Sequence, residues 1–225
     1  DADYVVVNSE FVKDTFIENG FDPQKIKVIY LGVREDFIGI KKNWNLPVDM
    51  PVRLLFIGTF GFRKGARILI EAILILNSRG VNVIVDILGT TEELDILKKQ
   101  HEIPSNIVFR GTFLYEELKN FLSTSDIYIF PTFAEGSSRA VMEAMASGLP
   151  VITTANCGVP LTHNETGILI PINNSEALAD EVARLINDLQ LRERIGRNAS
   201  SLIAEKYTWD IYADEMVKFY QKISA

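Results

Sequence analysis

Short runs of β-branched and aromatic residues alternate with longer stretches of helical periodicity along most of the chain. The runs predict strands over Tyr4–Val7, Lys27–Tyr30, Val52–Ile57, Val83–Leu88, Ile107–Phe109, Ile127–Phe130, Val151–Thr153 and Ile168–Ile170. Helical spacing predicts Glu10–Asn19, Lys64–Ser78, Thr91–His101, Tyr115–Ser123, Ser138–Ser147, Ser175–Asp188, Leu191–Lys206 and an amphipathic Trp209–Ile223. The internal strands are apolar on both faces, as a parallel sheet covered by helices requires. The alternation predicts a doubly wound α/β domain, a Rossmann-like parallel sheet with helices on both faces. Ligands of such a sheet bind at the carboxyl ends of its strands.

The pattern also divides the chain. Residues 41–51 are polar, include Pro47 and Pro51, and read as a linker. Residues 1–40 then read as the tail of another domain, 52–206 as one Rossmann-like domain, and 207–225 as a closing helix. The opening Asp1-Ala2-Asp3-Tyr4 has no methionine and leads almost directly into a strand, so a fragment or processed piece is expected. The most apolar helical stretch, Ile68–Leu76, is broken by Glu71 and reads as a buried helix rather than a membrane span.

Charge narrows the range of ligands. A net charge of −7 over 225 residues argues against a nucleic-acid or anionic-membrane surface, since both need a basic face. Any phosphate must therefore be held by a few local cations. Cys157 is the sole cysteine, so no internal disulfide forms and a reducing cytoplasm fits best. It has no evident base partner, and His101 and His163 have no companions at metal-ligand spacing, so no nucleophile and no metal site is expected.

The most informative run is Glu135 to Ile152. It follows an apolar strand, turns on Gly136 and opens a helix of nearly unbroken apolar character. A glycine turn at a helix mouth presents free N–H groups and the positive end of the helix dipole to an anion. Gly136 permits close approach, and Ser137 or Ser138 can cap the helix. Arg139 and Val141 lie in its first turn. Glu143 is the one acidic residue inside the helix, and a buried carboxylate there needs hydrogen-bond donors, which ribose hydroxyls supply. The alternative is an exposed Glu143 paired with Arg139 one turn earlier. Glu135 lies about two turns from Glu143 by helical rise, too far for a carboxylate pair sharing a proton. It suits the hydroxyls of a sugar.

A second run, Gly58-Thr59-Phe60-Gly61-Phe62-Arg63-Lys64-Gly65, ends the strand that precedes it. It is neither a Walker A loop nor a dinucleotide fingerprint. It delivers two adjacent cations to the same sheet edge, where Lys64 as a point charge and Arg63 as a fork can clamp a diphosphate. Gly89-Thr90 and Arg110-Gly111-Thr112-Phe113 also end strands and can line a base and ribose pocket. Residues Asn156–Pro160 follow another strand and are placed to cover the ligand.

Taken together these residues resemble the donor-binding half of GT-B retaining glycosyltransferases, family four. The resemblance rests on the E-x7-E pair Glu135 and Glu143 followed by Ala-Met-Ala-Ser-Gly-Leu-Pro-Val, on the Gly58–Gly65 loop, on Gly167–Pro171 and on Tyr207-Thr208-Trp209. Ala2–Val12 and Lys25–Val33 look like the closing segments of the family's N-terminal acceptor domain, and 207–225 like its crossover helix. The resemblance implies a nucleotide-sugar donor, a UDP-sugar ahead of GDP- or ADP-sugars. Glu135 then contacts the transferred sugar, with Lys64 and Arg63 beside it as the catalytic set. Glu143 takes the ribose, and backbone N–H groups near Ser137 to Val141 hold the diphosphate with Lys64. Gly58, Thr59, Arg110, Phe113, Gly136, Ser138 and Arg139 complete the donor site. No metal and no prosthetic group are implied.

The family often carries Arg or Ser after the first loop glycine, where this chain has Thr59. The acceptor (a glycan, lipid or small molecule) would be held by an N-terminal domain mostly outside this chain. Any association with the inner membrane face would come through regions absent here. A nucleotide-sugar-binding subunit without catalysis, or an epimerase or phosphorylase on the same fold, are the alternative readings.

Overall fold

The computed structural model describes residues 2–46 and 49–224. Six parallel strands form the main sheet: β3 (Val52–Ile57), β4 (Val83–Leu88), β5 (Ile107–Gly111), β6 (Ile127–Phe130), β7 (Val151–Thr154) and β8 (Ile168–Ile170). Their spatial order is β5-β4-β3-β6-β7-β8. The chain thus builds outward from β3 in one direction and then returns to start again from β6. The reversal falls between β3 and β6, paired at Leu54 with Ile127 and Leu55 with Tyr128. A crevice opens at the carboxyl ends of strands at such a switch point. The Gly58–Gly65 loop leaves β3 there, and the Thr132–Ser138 loop leaves β6 beside it.

The covering helices are α2 (Ala66–Ser78), α3 (Leu94–Gln100), α4 (Tyr115–Thr124), α5 (Arg139–Ser147), α6 (Ser175–Asn187) and α7 (Leu189–Lys206). Helix α2 packs on α6, and α5 on α7. Strand residues Leu54, Leu55 and Phe56, with Leu69 and Ile70 of α2, are wholly inaccessible, and Ile68 is buried beside them. Every residue of α5 from Val141 to Ser147 is buried, Glu143 included. Its alanines allow that close seating, because a helix side with short side chains can press directly on a sheet.

Most element boundaries fall within a few residues of those expected, and the exceptions have local causes. Helix α2 begins at Ala66 rather than Lys64, because Phe62–Lys64 form a 3₁₀ turn closed by Gly65 at φ +80°. A side chain at Gly65 would also run into the Pro131 carbonyl, 2.0 Å from an added Cβ. Strand β5 continues to Gly111 through a register shift opposite Ile87 and Leu88. Helix α7 begins at Leu189, where the Asp188 side chain accepts from Leu191 N at 2.9 Å.

A smaller unit lies beside the sheet domain. Strands β1 (Val5–Val7) and β2 (Ile26–Val28) form a parallel pair, flanked by α1 (Glu10–Glu18) and α8 (Trp209–Ile223). Tyr4 packs edge-on against Phe219 at 5.8 Å, and Tyr30 against Tyr207 at 5.4 Å. The two chain crossings between the units run together: Val33 N donates to Tyr207 O at 2.8 Å, and Val33 bridges Thr208.

The stretch expected to be a linker is seated on the sheet domain over its described part. Gly39 N donates to Ala146 O and Lys41 N to Ser147 O, at 2.9 and 2.8 Å. The Lys41 ammonium is buried, donates to Ser125 O at 2.6 Å and lies 3.9 Å from Asp126. Trp44 Nε1 donates to Gly148 O, while the buried Arg192 donates twice to Trp44 O. Pro47 and Val48 lie outside the described residues. Among the described residues no helix is long and apolar enough to cross a membrane.

Candidate functional site

The two loops at the switch point meet through their charged side chains. Lys64 Nζ lies 2.6 Å from Glu135 Oε1, and Arg63 Nη1 lies 2.8 Å from the same oxygen. Arg63 also donates to Ala134 O at 3.0 Å. Backbone bonds set this convergence: Phe133 N and the Thr132 hydroxyl both donate to Arg63 O, at 2.9 and 3.1 Å. The Lys64 ammonium rides 5.3 Å above the Phe130 ring. Glu93 fixes the other side of the loop by accepting from Phe62 N at 2.7 Å.

Behind the Glu135 loop lies the segment after β7. Asn156 O accepts from Glu135 N at 2.8 Å, the Asn156 amide donates to Phe133 O at 2.9 Å, and Ser138 N donates to Cys157 O at 3.3 Å. Gly158, at φ +68°, presses so near that an added Cβ would sit 2.6 Å from Gly136 O. Residues Asn156–Gly158 therefore brace the loop that carries Glu135. The demand for glycine falls on Gly158: at Gly136 an added Cβ would meet nothing nearer than Val12 Cγ2 at 3.8 Å. From the smaller unit, the buried Ser9 hydroxyl donates to Gly136 O at 2.5 Å.

Helix α5 opens at Ser138 without a side-chain cap. The expected capping by Ser137 or Ser138 does not occur, and the Ser137 hydroxyl is buried without a partner. The first amides of the helix have no intrahelical acceptor, and they present the positive end of the dipole beside Lys64 and Arg63. Val141 and Arg139 occupy this first turn, Val141 buried and Arg139 exposed.

Glu143 is 8% exposed, which rules out the water-facing alternative. Its Oε1 receives only long contacts, 3.4 Å from the Tyr115 hydroxyl and 3.7 Å from Arg139 Nη2. Burial raises its pKa above the ordinary carboxylate value, against the opposing pull of Arg139 and Tyr115. Tyr115 was not foreseen. It opens α4, packs edge-on against Phe37 at 5.3 Å and lies under Arg34 at 5.0 Å. No spacing rule links it to Glu143, 28 positions away.

The remaining candidates divide. Thr59 and Thr90 are joined at the ends of β3 and β4 by a hydroxyl bond of 3.1 Å, with Gly58 N bonded to Leu88 O. Phe113 packs half-buried against the core. The Arg110 side chain is committed elsewhere: its Nε lies 2.7 Å from Asp86, a fully buried carboxylate that also receives Arg53 at 2.7 Å. Burial pushes the Cys157 thiol up to about 12, which leaves it protonated near neutral pH. Among the described residues no group of three or more His, Cys, Asp or Glu side chains is arranged to hold a metal ion.

Residues 39–202 match the family model of glycosyl transferases group 1. The chain belongs to that family. An uncharacterized glycosyltransferase of Methanocaldococcus jannaschii is 29% identical over 210 residues, covering 88% of this chain and 54% of the relative. The amylovoran biosynthesis glycosyltransferase AmsK of Erwinia amylovora is 30% identical over 180 residues, covering 75% and 44%. The chain thus spans about half the length of the curated relatives it matches.

Among solved structures, HepE of Anabaena in complex with UDP superposes with a TM-score of 0.84 at 21% identity, over 98% of this chain and 64% of that one. The C-terminal domain of LpcC, a glycosyl transferase group 1 family protein of Francisella tularensis, aligns at 26% identity and a TM-score of 0.66. That alignment covers 79% of this chain and 99% of the domain. The fold is that of GT-B glycosyltransferases.

Proposed function

We propose that the chain is the donor-binding half of a retaining, metal-independent glycosyltransferase that passes a hexosyl group from a UDP-sugar to a glycan, lipid or small-molecule acceptor. The observation that carries this reading is the convergence of Lys64, Arg63 and Glu135 at the uncapped start of α5, with a buried, under-bonded Glu143 further along the same helix. The diphosphate sits against Lys64, Arg63 and the first amides of α5. As the bond from sugar to diphosphate breaks, negative charge grows on the leaving phosphate, and fixed donors there stabilise the transition state more than the ground state. These cations and the dipole supply the neutralisation a metal would otherwise provide. Glu143 accepts from the ribose hydroxyls, which offer the short donors that Tyr115 and Arg139 do not. Glu135 accepts from hydroxyls of the transferred sugar.

In this reading residues 2–40 and 207–224 belong with an N-terminal domain that carries the acceptor, and the cleft between the domains completes the active site. The enzyme works in the cytoplasm, with any contact to the inner membrane face made through that domain. The UDP carried by HepE supports uridine as the base.

Calorimetric titration of the chain with UDP, GDP and ADP tests the assignment. UDP is expected to bind, and Glu143→Ala is expected to weaken it by about tenfold or more, a loss of at least about 1.4 kcal/mol. Absence of binding by all three nucleotides, or unchanged binding in Glu143→Ala, would sink it. Titration in the presence of EDTA examines the metal claim: affinity is expected to hold.

A further inference from the structure

We propose that Glu135 competes internally with the diphosphate for Lys64 and Arg63, and that this competition lets the site prefer a nucleotide-sugar to the bare nucleoside diphosphate. The inference rests on the proposed role of those two cations in holding the diphosphate. One oxygen, Glu135 Oε1, receives both of them, at 2.6 and 2.8 Å. Among the described residues no other carboxylate lies within 4.0 Å of either. The Glu135 side chain is 12% exposed and that of Lys64 18%, so water screens their attraction poorly. The backbone that carries this carboxylate is also held in place, since Glu135 N is tied to Asn156 O and the neighbouring Ala134 O takes Arg63.

A diphosphate reaching Lys64 must draw it away from this carboxylate or lie against the same ammonium as a second anion. Like charges this close repel, and they do so more strongly in a half-buried site than in water. A bare diphosphate offers the displaced carboxylate nothing, because its oxygens accept hydrogen bonds as the carboxylate does. A donor sugar offers hydroxyls, which donate to Glu135 as its cations turn to phosphate. The penalty therefore falls on the nucleotide without its sugar. Specificity of this kind comes from a repulsive element as much as from an attractive one. Its effect is to hold the intact donor and to loosen the nucleoside diphosphate left after transfer.

Calorimetry with UDP and with UDP-glucose as probes tests this on the wild type, Glu135→Gln, Lys64→Ala and the double variant. Glu135→Gln is expected to tighten UDP by about tenfold, to tighten UDP-glucose less or weaken it, and to lose most of its gain on UDP when Lys64 is alanine. Glu135→Ala is expected to act in the same direction on UDP, so the outcome does not hang on one variant folding. Unchanged or weaker UDP binding by both Glu135 variants, with Lys64→Ala still weakening UDP, overturns the competition and leaves the diphosphate site standing. UDP binding that is absent in the wild type, or indifferent to Lys64→Ala, overturns both.

Discussion

The sheet domain and the smaller unit are built from the same elements, yet they hold together in different ways. Helix α5 buries seven of its nine residues, whereas α1 and α8 bury none. Strands β3 to β8 form a continuous ladder over a single apolar core, while β1 and β2 make an isolated pair of three residues each. A two-stranded pair with half-buried helices is marginal alone. Its order comes from aromatic contacts such as Tyr4 on Phe219 and from anchors to the larger domain such as Ser9 on Gly136. The carboxylates and cations of the candidate site stand on the stiff partner.

The sharpest way to break this contrast is to cut one phenyl ring from each region. Phe56→Ala, at a wholly buried position, is expected to cost about 3–5 kcal/mol in denaturant unfolding, and Phe219→Ala only about 1 kcal/mol. Equal costs would mean that the smaller unit shares the large core's cooperativity. Next in size is Lys64→Ala, expected to weaken UDP by at least about tenfold while leaving uridine affinity unchanged. Uridine carries no phosphate for the ammonium to meet, so equal losses on the two ligands would show a general disturbance instead.

Ser9→Ala probes the join between the regions. It removes both the α1 cap on Val12 N and the bond to Gly136 O, and about 1–2 kcal/mol is expected. Amide exchange should accelerate in α1 and stay slow in β3 and β6; acceleration in both would erase the distinction.

The smallest effect concerns pH. Burial raises the Glu143 pKa, so as pH rises from the unfolded value to the folded one the unfolded chain loses this proton first and stability falls. Glu143→Gln removes that cost. A stabilisation below about 1 kcal/mol is expected near neutral pH, fading below the ordinary carboxylate range, in thermal melts across pH. A variant less stable than the wild type at neutral pH would contradict the sign.

Much of the fold was legible because its signals are local. Ile127–Phe130 is apolar throughout and Val83–Leu88 is apolar but for Asp86; both end at turn residues, and each forms the strand expected. The site was legible in outline, because Lys64 and Glu135 each follow a strand and all strand ends of a parallel sheet share one edge. What escaped was set by distance along the chain. Tyr115 meets Glu143 only because α4 and α5 lie side by side, and Ser9 meets Gly136 across 127 positions. The commitment of Arg110 to Asp86 depends on neighbouring strand registers that no single run of residues specifies. The seating of 41–46 hid behind a polar composition that reads as a linker, although its buried Lys41 and Trp44 are satisfied by backbone carbonyls.

The paired crossings at Val33 and Thr208 have a mechanical consequence. Two straps bonded to each other side by side behave as the leaves of one door hinge. They can fold together about the line that joins them, but sliding one past the other must break Val33 N to Tyr207 O. A swing of the smaller unit about that line must also break the bond from the Ser9 hydroxyl to Gly136 O, so the hinge and this single latch together set its one arc of motion.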